Sequence, residues 1–153
     1  MLCEFMEEAA QIRTMKIRSY RELKNLETFE ERFEYLKLGG GVGKSTFGFD
    51  RYLNQVFYRS REWQDVRKIV IIRDEGCDLG IFGREIPKGI IIHHMNPISI
   101  EQIEDRDPDI FNPDFLICCS HNTHNAIHYS DSDILYKEPI IRTKGDTTLW
   151  KHV

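Results

Sequence analysis

The chain has 153 residues, of which 41% are hydrophobic and 30% are charged, and this composition suits one compact domain that can bury a core. It holds no run of about 18 apolar residues and opens on no basic-then-apolar leader, which argues against a membrane span or a secretory signal and predicts a cytoplasmic protein. The net charge of −4 argues against general affinity for nucleic acid, so DNA binding would depend on local basic surfaces.

The N-terminal part of the chain predicts helices. We interpret residues 1–14 as an N-terminal extension and residues 15–60 as an N-terminal helical region. Ser19 and Thr28 each stand three residues before a glutamate, which is the capping-box pattern of a helix start. Gly39 is then expected to end the second of these helices.

A glycine-rich loop follows, with the sequence Leu38-Gly-Gly-Gly-Val-Gly-Lys-Ser-Thr. It is similar to a phosphate-binding P-loop, but the consensus needs a glycine five residues before Gly43, where this chain has Leu38. The consensus loop also follows a buried strand, whereas a charged amphipathic helix is expected here. We therefore interpret the segment as a loop and not as a nucleotide site, with Lys44 available to contact a DNA phosphate.

Residues 51–73 predict two successive amphipathic helices with basic outer faces. The range holds six basic side chains against two acidic ones, with aromatic residues between them, as in surfaces that contact phosphates. The residues expected to bind DNA are Arg59, Arg61, Arg67 and Lys68. The alternative, that these side chains only solubilise the helices, stays open. Residues 99–114 are strongly acidic by contrast, and DNA is expected to avoid them.

The histidines are concentrated in the second half of the chain, where five of the six fall within 36 residues. His93 and His94 end an apolar, β-branched run that predicts a strand. Adjacent side chains at a strand end point to opposite faces, so one imidazole can hold a metal while the other faces a substrate.

The remaining histidines of this group lie on a predicted helix. Residues 115–119 predict a second strand, and Ser120 is suited to cap the helix that follows. His121, His124 and His128 are spaced three and four residues apart, so the helix carries them along one stripe. The sequence therefore predicts a metal site between the end of the first strand and this helix.

This arrangement resembles the HNH nuclease motif. In that ββα-metal (His-Me finger) fold a strand ends in a histidine pair, a central asparagine follows in a loop, and a further histidine lies early on a helix. By position His93 matches the first metal ligand, His94 the general base and Asn112 the central asparagine. The last two metal positions fall at His121 and Asn125.

The resemblance implies an α+β fold, with a ββα-metal core in a nuclease domain at residues 61–153 and the helical region before it. It extends to small HNH endonucleases of bacteriophages. It implies a metal-dependent endonuclease that nicks or cuts double-stranded DNA with one divalent ion (Mg, Mn, Ni or Zn). A phage terminase as partner, the host cytoplasm as location and a homodimer that cuts both strands are further expectations.

The resemblance also implies the role of each residue in the site. A neutral His94 would take a proton from the attacking water, and the ion would act as a Lewis acid on the phosphate. Asn112 would tie the loop to the strand through hydrogen bonds to backbone and so orient His94.

Two alternatives stay open. His124 and His128 compete for the metal, because histidines at i and i+4 can bind one ion, although His124 is expected more at the surface or facing DNA, and His128 fits a core residue equally well. The protein could instead be a non-catalytic DNA-binding module whose structural zinc is held by residues such as Cys118, Cys119, His121 and His124.

Overall fold

A computed structural model of the protein describes residues 16–39, 51–81 and 84–135. The helices are α1 (Tyr20–Leu23), α2 (Phe29–Leu36), α3 (Arg51–Arg59), α4 (Arg61–Arg73), α5 (Ile100–Glu104) and α6 (His121–Tyr129). The strands are β1 (Cys77–Asp78), β2 (Arg84–Glu85), β3 (Ile91–His94) and β4 (Leu116–Cys119). Short 3-10 turns span Pro108–Phe111, Pro113–Phe115 and Ser132–Ile134.

Helices and two small antiparallel sheets confirm the predicted α+β class. The predicted extension at residues 1–14, Lys44 and most of the glycine-rich loop lie outside the described residues. The division predicted between residues 60 and 61 falls at the single residue that separates α3 from α4, and it stays a prediction. Within the described ranges, none of the helices is long and apolar enough to cross a membrane.

Several helix starts follow from local hydrogen bonds that the sequence predicts. Thr28 and Glu31 form a complete capping box at the start of α2. The hydroxyl of Ser19 accepts from the backbone N–H of Glu22 at the start of α1. Ser120 caps α6 by accepting from the N–H of Thr123 at 3.2 Å.

The β3–β4 hairpin is the centre of the fold. Its register pairs His93 with Ile117 and His94 with Leu116. Side chains alternate between its two faces, so each face supports a separate hydrophobic core. One core joins the hairpin to α3 and α4 through Ile92, Leu116, Cys118, Phe57, Trp63 and Val70. The other joins it to α1, α2 and α6 through Met95, Ile117, Leu23, Leu36 and Ile127.

A buried carboxylate at the end of α4 holds this helix against β4. The Asp74 side chain is fully buried and accepts from the Arg73 guanidinium at 2.6 and 3.0 Å. It also accepts from the backbone N–H of Cys118 at 2.9 Å. The same guanidinium donates to the carbonyls of Pro113 and Leu116, each at 2.6 Å. A single ion pair therefore connects the helix, the strand and the loop before it.

A second buried carboxylate sets the position of α6. Asp78 accepts from the N–H of Ser120 at 3.2 Å and from the hydroxyl of Thr123 at 2.5 Å. A negative charge at this place also complements the helix N-terminus. Gly80 donates to the same carboxylate at 3.0 Å, and a Cβ at Gly80 would overlap the Thr123 side chain. The first turn of α6 is therefore held in one rotation about its axis.

We expect Asp74→Ala to lower the free energy of unfolding by about 3 kcal/mol or more, because it leaves Arg73 and the Cys118 N–H without their buried partner. Asp65→Ala is the matched control. It removes exposed ion pairs of 3.9 Å to Arg61 and 3.6 Å to Lys68 and should cost less than about 1 kcal/mol. Urea denaturation measures both, and equal losses would contradict the role given to Asp74.

Candidate metal centre

Three histidines meet where β3 ends beside α6. Ring nitrogens of His93, His124 and His128 lie within 4.8 Å of one another. The His93 ring is nearly perpendicular to the other two, with centroid distances of 5.3 Å to His124 and 5.1 Å to His128. The His124 and His128 rings, one helical turn apart, are 4.3 Å apart. We call these three residues the histidine trio.

The rotation of α6 and its position along β3 together decide which histidines join the trio. Thr123 points into the protein toward Asp78, and a helix turns about 100° per residue. His124 and His128 then lie about 100° and 140° from Thr123, on the flank that faces His93. His121 has nearly the same direction as His128 but lies two helical turns before it, about 10 Å along the helix axis, and so stays outside the trio.

The structure accordingly leaves two of the predicted ligands outside the trio. His121 is exposed, and its Nε2 is 3.2 Å from the Nδ2 of Asn125. Of the ligands predicted from the resemblance, only His93 belongs to the trio. The sequence signal for the other two members of the trio, His124 and His128, is their i, i+4 spacing. Ligation by His121 and Asn125 stays a prediction without geometric support.

His93 shows why the trio fits a metal ion. The side chain is 2% exposed, and its Nε2 is the only fully buried polar side-chain atom in the described ranges without a hydrogen-bond partner. An orphaned buried polar atom costs about 1–3 kcal/mol, which a ligand at that nitrogen would offset. Three imidazole nitrogens are a donor set for a divalent transition metal.

The environment also keeps the rings of His93 and His124 in the neutral form that binds metals. Burial, followed by the neighbouring His124 and His128, lowers the pKa of His93 well below its usual value. Burial and then His128 lower the pKa of His124 to about 4. Each of these two rings therefore keeps one unprotonated nitrogen near neutral pH, and a divalent ion does not have to displace a proton from it.

His94 lies on the other face of the hairpin, as strand alternation predicts. Its ring stacks on Trp63 with a centroid distance of 5.0 Å and an interplanar angle of 17°. Its Nε2 lies 3.0 Å from the carbonyl of Ile110, so this nitrogen carries the proton and donates. Nδ1 is then the acceptor. Burial lowers the pKa of His94 to about 4, although the hydrogen bond to Ile110 opposes this shift.

The other ring nitrogen of His94, Nδ1, has no hydrogen-bond partner among the described residues. The side chain is half-buried. Nδ1 is therefore the nitrogen that remains to accept a proton.

Asn112 acts locally. Its side-chain oxygen accepts from the backbone N–H of Asp114 at 3.0 Å and caps the turn that leads into β4. The bond that the loop makes to His94 comes from the carbonyl of Ile110. The carbonyl that contacts His94 thus lies two residues before Asn112, whose own side chain shapes the loop. The predicted orienting role of Asn112 stays a prediction.

The predicted DNA-binding residues differ in their availability. Arg67 is half-buried and donates to the carbonyl of Ile90 at 3.1 Å. Arg61 and Lys68 flank Asp65 at the surface, and Arg59 is exposed. Arg59, Arg61 and Lys68 can therefore reach a phosphate without breaking a buried contact, whereas Arg67 helps to hold α4 on β3.

The alternative zinc set is not gathered in the structure. Cys118 and Cys119 occupy adjacent positions of β4, so their side chains point to opposite faces. Burial and the nearby Asp74 raise the pKa of Cys118 to about 12, and burial raises the pKa of Cys119 well above its usual value. Both are protonated thiols, and a metal binds the thiolate form.

Comparisons with protein-family models, with curated proteins and with solved structures gave no match.

We expect His124→Ala and His128→Ala each to weaken binding of Ni²⁺ or Zn²⁺ at least tenfold, because each removes one of three nitrogen donors. His121→Ala, on the solvent side of the same helix, is the matched control and should bind as the wild type does. Isothermal titration calorimetry measures the affinities. The reverse pattern would restore the ligand set predicted from the sequence.

The metal-free protein should lose stability as the pH falls. The folded-state pKa of His94 is about 4, below the ordinary value of 6.5, so the unfolded chain binds this proton first. The contribution of neutral His94 to the free energy of unfolding is complete above pH 6.5 and is lost as the pH falls toward 4. The loss between pH 7 and pH 5 is about 2 kcal/mol. Urea denaturation in EDTA should show a shallower pH dependence for His94→Gln, and identical slopes would contradict this.

Proposed function

We propose that the protein is a metal-dependent endonuclease of the HNH type that hydrolyses phosphodiester bonds in double-stranded DNA. The observation that carries this proposal is the histidine trio, in which one ring comes from the end of β3 and two from α6. A hairpin followed directly by a metal-binding helix is the element order of the ββα-metal core. His94, next to His93 in the chain, supplies the second chemical group that hydrolysis needs.

The donor set supports a catalytic centre over a structural one. Three protein ligands leave coordination positions for a water and for phosphate oxygens, whereas structural zinc sites are closed by four. Imidazole donors favour Zn or Ni, with Mn and Mg acceptable where water and phosphate supply oxygen ligands. A bound divalent ion would act as a Lewis acid that stabilises charge on the phosphoryl oxygens and on the leaving 3′-oxygen.

His94 is the proposed general base. Its Nε2 donates to the carbonyl of Ile110, which fixes the tautomer and leaves Nδ1 to accept a proton from water. Trp63 stacks against the ring and limits its rotation. A pKa of about 4 keeps the ring unprotonated throughout the physiological range, at some cost in basicity. The proposed role of His94 thus depends on backbone and packing contacts, without a carboxylate partner among the described residues.

The path of the DNA follows from the charges around α4. Arg59, Arg61 and Lys68 offer exposed positive charge near the aromatic cluster that holds His94. We propose that they contact the phosphate backbone, which confers affinity without base specificity. A phage origin, a terminase partner, location in the host cytoplasm and a homodimer remain predictions of the family resemblance.

The test is cleavage of supercoiled plasmid with Mg²⁺, Mn²⁺, Ni²⁺ or Zn²⁺. We expect nicking that EDTA abolishes and that His94→Ala slows by about 100-fold or more, because the general base is lost. The same variant should keep its affinity for Ni²⁺, since His94 lies outside the trio. If the wild type cuts plasmid with none of these four metals, or if His94→Ala keeps full activity, the proposal is contradicted. Tight zinc binding without cleavage would favour a non-catalytic module.

A further inference from the structure

Arg18 is bound to the chain just beyond β3, the strand that carries His93, although it lies 75 residues before His93 in the sequence. Its backbone N–H donates to the side-chain oxygen of Asn96 at 2.8 Å, and the Asn96 amide donates back to the Arg18 carbonyl at 2.9 Å. Asn96 lies three residues after His93, just beyond the end of β3. This pair of bonds fixes the segment before α1 to the strand end that carries the trio.

The guanidinium of Arg18 is connected to the other element of the trio. Its Nε donates to the carbonyl of Tyr35 at 2.7 Å, and one terminal nitrogen, Nη2, donates to the carbonyl of Lys37 at 3.0 Å. The next residue, Leu38, donates its N–H to the carbonyl of Ile127 in α6 at 3.1 Å. Ile127 directly precedes His128. The guanidinium is therefore bound to a segment that packs on the metal-binding helix.

The charge of Arg18 has no acidic partner in the described part of the chain. Both hydrogen bonds of the guanidinium go to neutral carbonyls, and the second terminal nitrogen, Nη1, has no partner there. Arg18 lines a surface cavity together with Glu31 and Glu34, but these carboxylates bind the backbone of the α2 capping box and Lys37. The positive charge also acts on His93, as the smallest of the causes that lower the pKa of that ring.

The positive charges of this arrangement favour binding of an anion. A half-buried guanidinium and a divalent ion in the trio would place two positive centres close together, which is unfavourable unless a negative group lies between them. The planar fork of arginine matches phosphate oxygens better than an ammonium does. Because two carbonyls already fix the orientation of the guanidinium, little side-chain entropy is lost when Nη1 binds a ligand.

We propose that Arg18 and the metal-loaded histidine trio form one phosphate-binding site, in which Arg18 Nη1 donates to an oxygen of the phosphate that the metal also contacts. The inference rests on the proposed function only in identifying that phosphate as a DNA phosphodiester. The anion site itself follows from the position and charge of Arg18.

The test is binding of inorganic phosphate to the full chain loaded with Ni²⁺, measured by isothermal titration calorimetry. We expect Arg18→Gln to weaken phosphate binding about tenfold or more, because a charge-assisted hydrogen bond is lost. Affinity for Ni²⁺ should not fall. Arg21→Gln removes the same charge at the surface of α1 from a residue that is ion-paired with Asp114, and it should bind phosphate as the wild type does.

A second measurement needs no substitution and covers the case in which Arg18→Gln does not fold. The Nε–H of Arg18 is hydrogen-bonded and should give a resolved NMR resonance in the wild type. Phosphate added to the Ni-free, Zn-loaded protein is expected to shift it. An unshifted resonance, no phosphate binding by the wild type, or wild-type affinity in Arg18→Gln would each overturn the proposal.

DNA cleavage separates this inference from the proposed function. If the protein binds phosphate through Arg18 but does not cut plasmid, the nuclease proposal fails and the anion site stands. If it cuts plasmid and Arg18→Gln cuts equally well with unchanged phosphate affinity, the nuclease stands and the role of Arg18 is refuted. If the protein is a nuclease and Arg18 also binds the phosphate, Arg18→Gln should raise KM for DNA while the metal content stays the same.

Discussion

The site depends on the alternation of side chains at the end of β3. Because successive residues of a strand face opposite sides of the sheet, His93 turns toward α6 and His94 toward α3 and α4. Each face packs in its own hydrophobic core, so neither ring can exchange places with the other. One strand end thereby presents a buried imidazole nitrogen of the histidine trio on one face and a separately oriented imidazole on the other.

Two buried carboxylates turn this local alternation into a defined centre. Asp74 fixes α4 and β4 together, and Asp78 fixes the first turn of α6 through Ser120 and Thr123. Neither carboxylate faces the trio as a ligand. They set the distance between α4 and β4 and the rotation of α6. Loss of either carboxylate would therefore displace the elements that carry the histidine trio.

The centre also carries features that cost stability. His93 Nε2 has no partner, and the Arg18 guanidinium has no carboxylate within the described residues. A protein selected for stability alone would satisfy both groups. Their coexistence at one strand end is explained if a cation binds the first and an anion binds the second. The proposed metal ion and phosphate would satisfy both groups.

The sequence alone determined the α+β class, the strand that ends at Cys119, and the helix starts at Ser120 and Thr28, because these depend on apolar periodicity and on hydrogen bonds within a few residues. It also singled out His93 and His94 and placed them on opposite faces. Which helix histidines meet His93 was decided by tertiary structure, since Asp78, more than 40 residues away, sets the rotation of α6, and packing against β3 sets which helical turns lie beside His93. The same holds for Arg18, whose place beside the trio depends on hydrogen bonds to Asn96 and to the end of α2 that no local pattern encodes.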